Sequence, residues 1–130
     1  MQREAKPFED RVRFLWFDDA PYETILTEAA SLPRGSAVFW HLMNVDAAGV
    51  VYAGDSGLKK LYAVANAPIF SYDDGFFGQE IVGGPMHSVQ EGSRDTAEVA
   101  IRILGGEKAG EITTTPSGFH GSSVMREPSA

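Results

Sequence analysis

The sequence contains no cysteine, few basic residues and no long apolar run. The first absence excludes disulfide frameworks, thiolate metal ligands and cysteine nucleophiles, and carries no information on compartment. The second leaves 11 lysines and arginines against 18 aspartates and glutamates, a formal net charge of -7 and a pI near 4.8. A field of that sign repels phosphate backbones and anionic membrane surfaces, so no nucleic-acid partner is expected. The third matters because the longest apolar stretches are only strand-sized. At the start, Met1-Gln2-Arg3-Glu4-Ala5-Lys6-Pro7 has acids and a proline where a signal sequence would have an apolar core. The three histidines, His41, His87 and His120, have no metal-ligand spacing, and neither a GxGxxG nor a GxxxxGK[ST] pattern occurs. No nucleophile, base and orienting acid fall into a recognisable order. The expectation is a protein that is not an enzyme and that needs no metal or cofactor.

What is present suits one domain. A length of 130 residues with 43% hydrophobic and 22% charged composition supports a single core. Residues 12–17, Val-Arg-Phe-Leu-Trp-Phe, read as a first strand that stops at Asp18-Asp19-Ala20-Pro21. From Tyr22, apolar residues at Ile25, Leu26, Ala29 and Ala30 recur at helical spacing until Leu32-Pro33-Arg34-Gly35. Residues 37–43 are nearly continuous in apolar character, as in a parallel strand buried on both faces, which would make His41 a core imidazole. Asp55 stands as an N-cap ahead of Leu58, Leu61, Tyr62 and Ala65, a second helix. Residues 68–71 and 81–85 read as short strands. A long helix is expected over 87–104, with Val89, Ser93, Ala97, Ala100, Ile101 and Leu104 toward the core. Residues 111–115 read as an edge strand. The whole predicts an α/β layer, an open, mostly parallel sheet of four to five strands with helices on both faces, over residues 1–115, and a polar tail over 116–130.

Ligands of open α/β sheets bind beyond the carboxyl ends of the strands. The loops there carry Asp18 and Asp19, then Asn44 and Asp46, then Tyr72, Asp73, Asp74 and the pair Phe76 and Phe77. Asp and Asn side chains accept hydrogen bonds from an ammonium or hydroxyl group, and an aromatic ring gives an apolar wall. Each aspartate equally suits a turn or helix cap, and each phenylalanine the edge of a core. An alternative comes from Asp18 and Asp19, Asp46 and Ser71 after successive strands, which resemble the acid pocket of response-regulator receiver domains. That likeness implies a magnesium-dependent phosphoacceptor at Asp46. Against it, Gly83-Gly84-Pro85 stands where the receiver lysine is expected, and the next lysine is Lys108.

The most specific segment is Asn66-Ala67-Pro68-Ile69-Phe70-Ser71-Tyr72-Asp73-Asp74-Gly75-Phe76-Phe77-Gly78, followed by Ile81-Val82-Gly83-Gly84-Pro85. Ala97-Glu98-Val99-Ala100-Ile101-Arg102-Ile103-Leu104-Gly105-Gly106-Glu107-Lys108 then closes the pattern. From Ser36 onward this order resembles the second lobe of type I periplasmic binding proteins, the substrate-binding components of ABC transporters, a fold also found as the sensor domain of bacterial histidine kinases. The resemblance implies a Rossmann-like lobe that binds a small polar solute through Asn44, Asp46, Tyr72, Asp73 and Asp74, with Phe76 as a neighbouring wall. It also implies an ABC permease or a histidine kinase module as partner and a periplasmic or other extracytoplasmic location. Against the family's pattern this lobe is incomplete: the companion lobe and the lobe's first strand have no counterpart, so an incomplete sheet would close its gap or pair with a second copy. A plain protein-interaction domain without a small ligand is the third class compatible with these residues.

Overall fold

The computed structural model describes residues 2–114 and the backbone of a strand at Ser122–Val124. The elements in chain order are α1 (Gln2–Ala5), α2 (Tyr22–Ala29), β1 (Val38–Phe39), α3 (Ser56–Val64), β2 (Ile69–Phe70), β3 (Gly83–Pro85), α4 (Val89–Leu104) and β4 (Ser122–Val124), with single 3-10 turns at Lys6–Phe8, Asp74–Phe76 and Ala109–Glu111. The fold is α/β: β1, β2 and β3 form a small open parallel sheet, and β4 pairs antiparallel with β3. Because β1 and β2 are parallel, the chain must cross over between them, and α3 is that crossover. Among the described residues no helix is long and apolar enough to cross a membrane.

The parallel strands number three, fewer than the four to five expected, because two segments read as strands stay out of the sheet. Residues 12–17 have no regular structure, and Phe14 stacks on Trp16 at 5.7 Å between ring centroids instead. An aromatic, β-branched sequence favours a strand only where a neighbouring strand accepts it, and none does here. Of residues 111–115, Glu111 ends a 3-10 turn, 112–114 are irregular, and Thr115 lies outside the described residues. The segment 37–43 narrows to a two-residue strand, although its backbone runs one bond further, Trp40 N–H donating to Phe70 O at 2.7 Å. His41 is therefore exposed beyond the strand, not a core imidazole. The strand Ser122–Val124 falls in the stretch read as a tail.

The core forms where α2 and α3 pack together over β1 and β2. Tyr22, Ala29, Tyr52, Leu58, Leu61, Ile69, Ile81 and Met86 are buried in one cluster, with Ile25, Leu26, Val38, Trp40, Met43, Ala65 and Phe76 packed against it. Leu58 and Leu61 are one turn apart on α3, as the spacing predicts, and burying each contributes about 1.5–3 kcal/mol. Gly57 lets α3 approach closely: a Cβ there would lie 3.3 Å from the Trp40 ring. Helix α4 behaves differently. Its sixteen residues match the expected 87–104, yet none is buried, and Val89, Ala97, Ala100, Ile101 and Leu104 face solvent, not the core.

Candidate functional site

The carboxyl ends of the parallel strands bring three loops together. Phe39 pairs with Phe70, so the residues two positions further along each chain, His41 and Tyr72, come side by side. Their ring centroids are 5.0 Å apart. This contact was hidden in the sequence because His41 lay inside an apolar run; the parallel register is the signal that finds it. On the other side of Tyr72, its carbonyl accepts from His87 N–H at 2.6 Å, and Asp74 N–H donates to His87 O at 3.2 Å. The β2 ladder thus continues past β3, but with a slip: Phe70 faces Gly83, whereas Asp73 faces His87. One extra residue has been inserted on the second chain, a bulge. Gly84 makes it possible, with φ at +148° and a position where a Cβ would fall 1.7 Å from the Ser71 carbonyl oxygen.

Asp46 is the hub of the first loop. Residues 45 and 51 form an antiparallel bridge, and Asp46 sits at the turn between them. Its Oδ1 accepts from Ala48 N–H at 3.0 Å and Val50 N–H at 2.9 Å. Its Oδ2 accepts from Tyr22 N–H at 3.0 Å and the Tyr52 hydroxyl at 3.3 Å. Four donors to one carboxylate favour its charged form, so the Asp46 pKa is held below the ordinary carboxylate range, first by the Tyr22 amide and then by those of Val50 and Ala48. The carboxylate also meets an N–H that α2 leaves unpaired at its first turn. Tyr22 completes the joint: its ring meets that of Tyr52 edge-on at 4.7 Å, its hydroxyl donates to Gly57 O at 2.5 Å, and burial pushes its pKa up to about 12.

The other expected site residues divide between framework and surface. Asn44 is exposed, and its backbone carbonyl accepts from Tyr52 N–H at 2.8 Å. Asp73 and Asp74 each commit an oxygen to the backbone, Asp73 to Gly75 N–H at 2.7 Å and Asp74 to Val89 N–H at 3.0 Å, the latter at the start of α4. Both bonds are those of turn and cap residues. Phe76 packs on the core, while Phe77 is more exposed. Asp55 occupies the N-cap position of α3, yet its carboxylate makes no cap bond and pairs with Lys59 at 2.6 Å.

Asp18 accepts from the Gln2 side-chain amide at 2.8 Å, and buried Ser71 donates its hydroxyl to Trp40 O at 3.0 Å. Among the described residues no three Asp, Glu or His side chains converge on a metal position, so Asp18, Asp19 and Asp46 do not form a magnesium pocket of the receiver kind. Two hollows have linings other than the loops 41–46 and 72–77. One, of about 410 Å³, is at the amino ends of β1 and β2, between the turn 32–36 and residues 66–68. The other, of about 320 Å³, lies beside Trp16, Asp18 and Asp19. Both are open dips. The chain matches no protein-family model, no curated protein and no solved structure.

Proposed function

We propose that this chain is a non-enzymatic solute-recognition lobe, holding a small polar molecule against the carboxyl edge of its parallel sheet. The observation that supports this reading most is the meeting of His41 and Tyr72, ring to ring, at the ends of neighbouring parallel strands and next to exposed Asn44. Open α/β sheets take their ligands at that edge. In this reading Asn44, Tyr72, Asp73 and Asp74 contact the solute. Asp73 and Asp74 each have a second carboxylate oxygen beyond the one used in a cap bond. Phe76 backs the loop and Asp46, with all four acceptor sites used, holds its shape. Carboxylates favour a ligand bearing an amine or several hydroxyls and penalise an anion. The biological setting is then delivery to an ABC permease or signalling to a histidine kinase module, outside the cytoplasm, with a companion surface closing on the ligand.

Amide-resolved NMR titration with pooled amino acids, polyamines, sugars and small carboxylates tests this. Shifts confined to residues 41–46 and 72–77 with one cationic or polyhydroxy class are expected, at affinities weakened by the one-sided cleft. Shifts around Asp18, Asp19 and Asp46 that require magnesium and acetyl phosphate would replace the reading with a phosphoacceptor. No shift in any pool would remove it in favour of a protein-interaction domain.

A further inference from the structure

Residues 12–17 are a strand-forming segment without a sheet, and the outer edge of β1 is a sheet edge without a strand. The segment, Val-Arg-Phe-Leu-Trp-Phe, is apolar at every position except Arg13 and has no regular structure, with Val12, Leu15 and Trp16 exposed. Phe14 and Trp16 stack at 5.7 Å between ring centroids. Residues two apart do not face each other on a helix but share one face of an extended chain, so the segment already has the side-chain order of a strand.

Strand β1 is the outermost of the sheet and pairs with β2 alone. Val38 N–H donates to Pro68 O at 2.9 Å and Trp40 N–H to Phe70 O at 2.7 Å, both toward β2. Backbone groups alternate along a strand, so the Phe39 N–H and C=O point the other way, where nothing among the described residues bonds them. Residues 36–43 have no lysine, acid or proline to blunt this edge, and Phe39 is 48% exposed.

Chain order says which strand fits there. Tyr22, the first residue of α2, donates to Asp46 beyond the carboxyl end of β1, and Ala29, its last, accepts from Asn66 N–H just ahead of β2. Helix α2 therefore runs back from the carboxyl to the amino end of the sheet. Segment 12–17, α2 and β1 stand in the strand, helix, strand order that makes parallel neighbours. Yet the single chain keeps segment and edge apart. The link 18–21 is four residues ending in Pro21, and Asp18 accepts from the Gln2 side-chain amide at 2.8 Å, which ties the end of the segment to α1. A short link that holds a strand away from its own edge favours exchange of that strand with a second copy. We propose that residues 12–17 of one copy add as a parallel strand to the outer edge of β1 in another, reciprocally, giving a two-fold strand-exchanged dimer. This contact does not depend on the solute reading, and its test needs no solute.

Sedimentation of the unmodified chain should show a dimer fraction that grows with concentration. Phe39→Pro removes an outward N–H that β2 does not use, and Phe39→Lys puts a charge on the open edge. Each should weaken the dimer by roughly tenfold or more. Phe14→Pro combined with Leu15→Pro should do the same from the other side, since successive N–H groups point opposite ways and one of the two must face β1. Mixed together, an edge-blocked and a segment-blocked chain should form a heterodimer, one intact segment on one intact edge, weaker than the reciprocal dimer. Circular dichroism checks that every variant keeps its helix content. A chain that stays monomeric at every concentration would overturn the proposal. So would a dimer indifferent to the two segment prolines, the result expected if two β1 edges pair directly or if α4 is the contact, and so would failure of the mixed variants to associate.

Discussion

Helices α2 and α3, compared with α4, show what an amphipathic pattern does and does not determine. All three have apolar residues at helical spacing. The two shorter ones meet each other and bury Tyr22, Ala29, Gly57, Leu58 and Leu61, whereas the longest buries nothing. The pattern marks a face that is able to be covered. Whether it is covered depends on what the topology sets opposite: α3 is tied to the sheet at both ends as a crossover, whereas α4 is anchored at its start, where Asp74 accepts from Val89 N–H.

Substitutions in the two regions should separate them sharply. Leu58→Ala, in the packed region, is expected to cost about 2–5 kcal/mol through lost burial and a cavity, read from the urea midpoint. If Leu58→Ala were as mild as a surface change, the core assigned here would be wrong. Next, Tyr22→Phe removes the hydroxyl bonded to Gly57 O and should cost about 1 kcal/mol. The intact tyrosine adds a signature in alkali: its folded pKa is raised to about 12 by burial, above the unfolded value near 10. Its contribution is therefore fully present below about pH 10 and lost as pH climbs from there toward 12, and Tyr22→Phe should flatten that limb.

Asp46→Asn should have a smaller effect at neutral pH and a distinct acid profile. The folded pKa of Asp46 is depressed, so its contribution is present above the unfolded value near 3.9 and lost as pH falls through the folded one. Acid titration of stability in the variant should lack that step. The smallest effect belongs to α4: Leu104→Ala, at an exposed position, should change stability by no more than about 0.5 kcal/mol. A large loss there would mean that α4 is packed after all.

Much of the helical framework was legible. The stretch from Tyr22 to Ala29 and that from Leu58 through Leu61 could be read from spacing, and Leu32-Pro33-Arg34-Gly35 marked the end of the first. The strands were only partly so. Ile69 and Phe70 were placed correctly, but residues 12–17, short, apolar, aromatic and ended by a turn sequence, read as a strand and formed none, since strand pairing is decided by a neighbour that a linear sequence does not name. At the site, the loops could be located but the duties of their acids could not. Asp46 reaches Tyr22, 24 positions away, and Asp74 reaches Val89, 15 positions away. A carboxylate that caps a distant backbone looks in sequence like one that awaits a ligand.

The Asp46 joint has a kinetic corollary. One carboxylate is bonded at once to the first turn of α2 and to the turn between residues 45 and 51, and Tyr52, next in the chain after that turn, adds its hydroxyl. Neither segment can open without releasing the same acceptor. The amides of Tyr22, Ala48 and Val50, far apart in the chain, should therefore exchange their hydrogens through a common opening event with one shared protection free energy, marking a cooperative unit that secondary structure alone would divide in two.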